Sequence, residues 1–446
     1  MNRDLTRGPV TKGMLLFALP MILGNLLQQF YNVADTLIVG QFLGATALAA
    51  VGSSYTLMTF LTSILLGMCM GSGAVFSIRF GEGDRARLKN SLSLSFLMIA
   101  GFTVVMNLAV FLLIDPMMGL LQVPEEVYPL MRSYLWVIFW GIGGTFLYNY
   151  FACLLRAIGN SATPLLFLGV SAVLNIALDL VFVVVVPWGV AGAAFATSLS
   201  QWVSGLGLLA FTLAKMPQLR PSRQDVRWEK DRVLEIARFS LLTCVQQSVM
   251  NFGILMVQGL VNSFGTVVMA AFAAAVKIDS FAYMPVQDFG NAFSTFIAQN
   301  YGAKRMDRVR RGIKSAAVSS VVFALLISVL VFAFAKPLLL LFVKPEETEI
   351  LAVGVQYLRI EGAFYFGIGI LFLLYGLYRA IERPGMSLVL TVISLGTRVA
   401  LAYILSAIPA IGVVGIWWSV PIGWALADVT GVLYYKKLRG QLAGRP

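Results

Sequence analysis

Long apolar stretches separated by short polar loops dominate the pattern of this chain. Twelve of them are long enough to cross a bilayer as helices, which takes about 20 residues. In chain order, their approximate cores are 14–39, 50–76, 91–114, 130–154, 163–186, 189–213, 234–262, 266–298, 313–335, 351–376, 386–407 and 412–435. The pattern therefore predicts an all-α membrane protein with twelve transmembrane helices.

The composition supports a membrane protein and argues against an enzyme. Of the 446 residues, 59% are hydrophobic and 12% are charged, whereas a soluble chain is about one quarter charged. The chain has no histidine, which excludes Ser-His-Asp catalysis and the HExxH zinc site. Cys69, Cys153 and Cys244 are scattered through apolar runs and resemble neither a disulfide framework nor a CxxC site. We expect no enzymatic activity and no cofactor.

The basic residues predict the orientation in the membrane. If the N-terminus is cytoplasmic, most of the 33 Lys and Arg residues fall in cytoplasmic loops and tails, as the positive-inside rule requires. Both termini of this multi-pass protein are therefore expected on the cytoplasmic side of the cell membrane. Because the net charge of +12 is spread over these loops, it does not indicate a nucleic-acid partner.

The chain also divides into two similar halves. The longest loop, 215–232, is predicted to be a cytoplasmic linker between an N-terminal lobe at 1–214 and a C-terminal lobe at 233–446, with six spans each. Tyr134-Leu135 recurs as Tyr357-Leu358, and GVAG recurs as GVVG, at an offset of 223 residues. Since six is even, both lobes enter the membrane in the same direction. This arrangement predicts two pseudo-symmetric six-helix bundles around a central cavity.

Acidic residues inside the predicted spans are the strongest candidates for function, because a membrane charge is costly unless it is paired, protonated or hydrated. The six are Asp35, Asp179, Asp279, Asp288, Glu361 and Asp428. Asp35 follows Gln28 and Asn32 at helical spacing, so these residues share one face of the first span. Asn175 and Asp179 share a face of the fifth span in the same way.

Four of these polar residues lie at similar depth in the first lobe. At 1.5 Å per residue, Asp35, Asn175, Asp179 and Thr197 lie about 6–16 Å below the outer ends of their spans. Two carboxylates, an amide oxygen and a hydroxyl would suit either a monovalent cation such as Na⁺ or a shared proton. The alternative is that these groups only join helices by hydrogen bonds.

The second lobe lacks this set. Through the repeat, the four residues correspond to Met256, Arg398, Ala402 and Val420. Instead, the second lobe carries Lys277, Arg359 and Arg398 together with its own four acids, for which a mutually neutralising network is the favoured interpretation. A relay or a substrate contact is the alternative. Candidates for a cavity or relay over both lobes are Gln28, Tyr31, Asn32, Met256, Lys277, Asp279 and Glu361.

Several segments resemble the multidrug and toxic compound extrusion (MATE) family of secondary transporters, in its bacterial form. They include FALPMILGNLLQQFYNVADTLIVG at 17–40, LLRAIGNSATP at 154–164 and AAFAAAVKIDSFAYMPVQDFGNAFSTFIAQNYGA at 270–303. The resemblance implies an antiporter that exports organic cations or drugs in exchange for H⁺ or Na⁺, and a monomer. It also implies that Asp35, Asn175, Asp179 and Thr197 form the cation-coupling site.

Other functions remain open at this stage. A flippase for lipid-linked saccharides belongs to the same broad superfamily, but it would need basic residues for pyrophosphate, and the first lobe offers none deep within its spans. A polytopic membrane enzyme has little support without histidine or a GxSxG motif. A channel has little support because no filter-like repeat is present.

Overall fold

The computed structural model describes residues 4–121, 123–220, 222 and 225–443, and this part of the chain is helical without any strand. The chain ends, to which the prediction of cytoplasmic termini refers, lie at 1–3 and 444–446, outside the described residues. The predicted linker at 215–232 is also described only in part.

Eight helices precede the linker. In chain order they are α1 Val10–Leu43, α2 Ala45–Glu82, α3 Arg85–Leu112, α4 Ile114–Leu120, α5 Tyr128–Ile138, α6 Ile142–Ala157, α7 Ala162–Asp179 and α8 Gly189–Lys215. A 3₁₀ turn at Phe139–Gly141 joins α5 to α6, and a π-helical turn at Leu180–Val185 extends α7. A further 3₁₀ turn, Pro217–Leu219, follows α8.

Eight more helices follow. In chain order they are α9 Lys230–Asn262, α10 Thr266–Gly302, α11 Met306–Ala333, α12 Ala335–Leu339, α13 Thr348–Gly362, α14 Tyr365–Ala380, α15 Pro384–Ser406 and α16 Val414–Ala443. Eleven candidate spans among the described residues are long and apolar enough to cross a membrane, and counting the bent pair α13 and α14 as one span gives twelve. The all-α fold with twelve predicted spans is confirmed, while the central cavity stays a prediction.

The tenth predicted span is broken, which the sequence did not indicate. Between α13 and α14 the axis bends by 50°, and the backbone there makes short-range bonds, with the N–H of Phe364 donating to Glu361 and that of Gly367 donating to Phe364. The 3₁₀ turn at Phe139–Gly141 occupies the equivalent position of the first half, at the offset of 223. Each break lies inside a stretch whose overall length and hydropathy fit a single span, so hydrophobic length alone could not reveal it.

The described chain forms two compact units. The first contains Leu19–Cys244, and the second contains Leu5–Ala18 with the chain from Val245 onward. The beginning of α1 is thus packed in the second unit, and the beginning of α9 in the first. Unit membership follows packing and not chain order, and the lobe boundaries inferred from the sequence remain predictions.

Helix α2 runs through the interior of the first unit. Gly71 lets α9 approach closely, because a Cβ atom built at this position would lie 2.3 Å from the carbonyl oxygen of Phe239. One residue further on, the hydroxyls of Ser72 and Ser240 lie 2.9 Å apart. The first unit therefore depends on a small residue at this point of α2.

In each unit, polar side chains near a helix connection hold the segment that leads into a long helix. In the first unit, Asn90 donates to the carbonyl oxygens of Asp225 and Arg227 at 2.7 and 3.0 Å, and Arg79 pairs with Glu235 of α9. These contacts fix the chain where it enters α9.

The second unit holds the segment before α1 in a comparable way. Asn300 donates to the carbonyl oxygen of Leu5 at 3.1 Å. Arg308 donates to the carbonyls of Leu5, Arg7 and Gly8 at 2.7–3.2 Å. Since Leu5 is buried, the segment from Leu5 into α1 is a packed part of this unit.

Candidate functional site

The four residues predicted as a cation site come together in the first unit. Asn175 and Thr197 are linked by a hydrogen bond in which Asn175 Nδ2 donates to Thr197 Oγ1 at 3.2 Å. The carboxyl groups of Asp35 and Asp179 lie within hydrogen-bonding reach of each other. Asp179 is 0% exposed and Asn175 is 2% exposed. Helices α1, α7 and α8 thus supply one cluster, as face and depth predicted.

The oxygens of this cluster have few partners. Asp35 Oδ1, Asn175 Oδ1 and both carboxyl oxygens of Asp179 are buried and receive no hydrogen bond within the described part of the chain. Two ionised carboxylates this close repel each other, and a buried uncompensated charge costs several kcal/mol. A proton or a cation between the two acids would relieve this repulsion.

The local backbone explains the position of Asp179. It is the last residue of the regular α7, immediately before the π-helical turn Leu180–Val185. Next to that turn, α8 comes close because Gly192 has no side chain, and a Cβ there would lie 2.6 Å from the carbonyl oxygen of Phe182. Single π-helical turns interrupt helices frequently at functional sites. The turn and the close approach place Asp179 beside Asn175 and Thr197.

The donor set fits a singly charged ion. Among the described residues, no group of three or more His, Cys, Asp or Glu side chains could hold a metal ion. Two carboxylates with an amide oxygen and a hydroxyl could hold one proton or one Na⁺, since hard cations prefer oxygen ligands.

Tyr134 is a member of the cluster that the sequence argument missed. It is buried on α5 and lies close enough to Asp35 and Asp179 to interact electrostatically with both. Its only signal in the sequence is the repeat, which pairs Tyr134 with Tyr357. On α1, Tyr31 is hydrogen-bonded to Gln28 and also lies near Asp35.

For two other candidates, Asn32 and Met256, the structure gives a position and an exposure but no contact with the cluster. Asn32 is half-buried and precedes Asp35 by one turn of α1. Met256 belongs to the second unit, where 37% of its surface is exposed.

The charged candidates of the second unit separate into different environments. Asp279 and Glu361 are buried together, and Arg398 acts electrostatically on both. Lys277 lies over the ring of Phe342 with its Nζ 5.8 Å from the centroid. Arg359 lies over the ring of Phe332 at 5.4 Å. The predicted candidates Asp279 and Glu361 are thus brought together, while Lys277 is not among their neighbours.

Comparison with known proteins agrees with this architecture. The MatE family model matches residues 20–181 and 242–404, one stretch in each half. The chain is 31% identical over 444 residues to the probable multidrug resistance protein YpnP of Bacillus subtilis (strain 168), covering 97% of this chain and 96% of that one. It is 25% identical to an FAD transporter of Shewanella oneidensis, covering 94% and 93% of the two chains.

The fold is also that of solved structures. A crystal structure of MATE in complex with MaL6 superposes with a TM-score of 0.93 over 99% of both chains, at 22% identity. A family match in both halves and 31% identity over nearly the whole chain are decisive. This protein belongs to the MATE family, whose members are multi-span membrane transporters and not enzymes.

Proposed function

We propose that this protein is a secondary antiporter that exports organic cations, drugs among them, across the cytoplasmic membrane in exchange for H⁺ or Na⁺. The observation that carries the proposal is the carboxyl pair of half-buried Asp35 and buried Asp179, which has no fixed counter-ion among the described residues around it. An acid in a membrane span is functional by default. The similarity to multidrug resistance proteins supports drugs as cargo.

The exchange follows from linkage between two cations. A coupling ion cancels one of the two negative charges of the acid pair, and a cationic substrate is favoured when both charges are present, so each ion weakens the binding of the other. Protons are the preferred coupling ion, because two acids in contact can share one proton without any further ligand. Na⁺ is the second candidate, with Asn175 and Thr197 as neutral oxygen ligands. In this proposal the protein acts as a monomer with both termini cytoplasmic.

The decisive experiment is transport in proteoliposomes with imposed ion gradients. The probe is the organic cation ethidium, and FAD serves as an anionic comparison. We expect a proton gradient to drive ethidium movement without sodium, and a protonophore to abolish it. Ethidium movement that persists with the protonophore but stops without sodium would identify Na⁺ as the coupling ion. Movement of FAD but not of ethidium, or ethidium movement independent of both gradients, would refute the proposal.

A further inference from the structure

A charged cavity lies in the first unit, where α2 ends and where α3 and α9 begin. Its volume is about 370 Å³. Its charged lining consists of three arginines and three acids, Arg79, Arg87, Arg232, Glu229, Asp231 and Glu235. The lining therefore has no net charge but offers groups of both signs. None of these residues belongs to the acid cluster of the first unit.

Part of this lining is already neutralised within the unit. One terminal nitrogen of Arg79 donates to Glu82 at 2.7 Å, and the other donates to Glu235. Arg232 pairs with Glu229 at 2.9 Å. Because Arg79 belongs to α2 and Glu235 to α9, these pairs fix the walls of the cavity. They leave other groups to bind a ligand.

Two charged groups of opposite sign remain for that purpose. Arg87 on α3 contacts Asp84 through Nε at 3.3 Å and makes no other ion pair within the described part of the chain. Asp231, in the first turn of α9, has no ion pair among the same residues. Ser91 lies one turn after Arg87 and also lines the cavity. A guanidinium and a hydroxyl can bind a phosphate, and a carboxylate can bind an ammonium group.

The second unit uses the corresponding arginine for its own backbone. Arg87 corresponds to Arg308 at the offset of 221 residues. The guanidinium of Arg308 donates to carbonyl oxygens of the segment that precedes α1. In the first unit, Asn90 holds the segment that precedes α9, and Arg87 lines the cavity. The arginine that binds backbone in one unit can thus bind a ligand in the other.

Exposed apolar residues continue from the cavity along both helices. They recur at helical spacing as Leu234, Leu241 and Val245 on α9 and as Leu97, Val104 and Leu108 on α3. At 3.6 residues per turn, each stripe lies within about a quarter turn of Asp231 or Arg87 around its helix. Trp228, just before α9, is 63% exposed, and tryptophan concentrates at the headgroup level of membranes. The cavity therefore combines charges with adjoining lipid-facing surface, as a phospholipid site requires.

We propose that this cavity binds the headgroup of one phosphatidylethanolamine molecule of the surrounding membrane. Arg87 and Ser91 bind its phosphate, and Asp231 accepts a hydrogen bond from its primary ammonium group. The neutral lining disfavours an anionic headgroup, which would bring only negative charge to the three acids. A choline headgroup binds more weakly, because a quaternary ammonium has no N–H to donate. The proposal does not depend on the cargo or the coupling ion.

Native mass spectrometry of the purified full-length protein tests this site. The delipidated protein is titrated with phosphatidylethanolamine, phosphatidylcholine and phosphatidylglycerol that carry identical acyl chains. We expect one phosphatidylethanolamine to bind about tenfold more tightly than the other two, which is the effect of one charge-assisted hydrogen bond. Asp231→Asn should reduce its affinity to that of phosphatidylcholine and leave phosphatidylcholine unchanged. Arg87→Gln should weaken both lipids, because both carry the phosphate.

Arg85→Gln is the matched control, because Arg85 begins the same helix α3 and is not among the residues that line the cavity. It should bind all three lipids as the wild type does. Soluble glycerophosphoethanolamine carries the same headgroup without acyl chains, and in excess it should not displace the lipid.

The proposal is overturned if phosphatidylglycerol binds as tightly as phosphatidylethanolamine, or if either cavity variant keeps the wild-type affinity. Displacement by the soluble headgroup would overturn it as well, since the ligand would then be a free solute and not a lipid. Asp35 and Asp179 are unchanged in every variant, so failure here leaves the proposed antiport function standing.

Discussion

The two units surround their acid pairs with similar side chains, but they differ in the positive charge near each pair. In the first unit, Asp35 and Asp179 have a tyrosine and a neutral amide beside them, and in the second, Asp279 and Glu361 have a tyrosine and an arginine. One position of the repeat, Asn175 or Arg398, makes the difference. In the proposed function the first pair takes its cation from solution, whereas the second pair has a tethered arginine nearby.

The acids themselves do not follow the repeat. Asp35 corresponds to Met256, and Asp279 corresponds to Met58 at the same offset of 221. The repeat therefore supplies a scaffold with a polar position at 175 or 398 and a tyrosine at 134 or 357, and each unit places its carboxyl groups on different helices. This difference can be tested by changing one unit at a time.

The largest effect is expected from the acids of the first unit. Asp35→Asn and Asp179→Asn should each abolish export, because an amide can neither bind a proton nor attract a cation. The protein should still fold, since removing a buried membrane charge does not destabilise it. Ethidium transport in proteoliposomes checks the loss, and the amount of folded protein in the membrane checks the fold.

Asp115→Asn is the control, because Asp115 is exposed and pairs with Arg132 outside the cluster. It should transport normally. Export at the wild-type rate by either cluster variant, at normal expression, would contradict the assigned role.

The second prediction transfers the arginine of one unit to the other. Asn175→Arg gives the first unit a tethered cation while both acids remain. A positive charge within about 4–6 Å of the acids should weaken binding of the coupling cation about tenfold or more. The measurement is gradient-driven transport as a function of the concentration of the coupling ion.

Asn175→Gln is the matched control, because it enlarges the side chain without adding charge. A comparable loss in both variants would mean that size, and not charge, is decisive at this position. In that case the charge at positions 175 and 398 would not explain the difference between the two units.

The third prediction concerns packing of α2 against α9. Gly71→Ala would force a methyl group against the carbonyl oxygen of Phe239 and should destabilise the protein by about 1–3 kcal/mol. The equivalent position of the second unit is already an alanine, the buried Ala292. Thermal unfolding in detergent measures the change.

Gly52 lies on the same helix and has open space around its Cβ position, so Gly52→Ala should not lower the stability of the protein. Ala292→Gly in the second unit should cost about 1 kcal/mol, the ordinary helix penalty of glycine. If Gly71→Ala were as well tolerated as Gly52→Ala, the close approach would be refuted.

The smallest effect is expected at the entry to α9. Asn90→Ala removes two hydrogen bonds to backbone carbonyls, each worth about 0.5–1.5 kcal/mol. Because these carbonyls lie near the surface, water replaces much of the loss. Amide hydrogen exchange in residues 225–232 should accelerate, with little change in overall stability.

Asn300→Ala should accelerate amide hydrogen exchange in the segment around Leu5 and leave the exchange of residues 225–232 unchanged. Equal acceleration of both segments in either variant would show that the two holding contacts are not local to their units.

The sequence predicted the features that depend on the length of an apolar stretch or on the position of a residue along one helix. Hydrophobic runs located every span, and helical spacing with depth brought Asp35, Asn175, Asp179 and Thr197 together. Tyr134 was missed because a tyrosine in an apolar run has no distinguishing periodicity. Likewise, the sequence could not show that Arg398 lies near Asp279 and Glu361 while Lys277 lies over Phe342. Which neighbouring helix a side chain faces depends on tertiary packing. The break after Gly362 was missed because the whole stretch has the length and hydropathy of a single span.

The division of α1 and α9 between the units has a consequence for dissecting the molecule genetically. A gene cut within the loop at 215–232 would yield two polypeptides of similar length, yet neither would be a self-sufficient folding body. The first fragment would lack 233–244, which packs with it, and the second would lack Leu5–Ala18. Each fragment would carry the missing piece of its counterpart. We therefore expect the two fragments to fold only when they are expressed in the same cell.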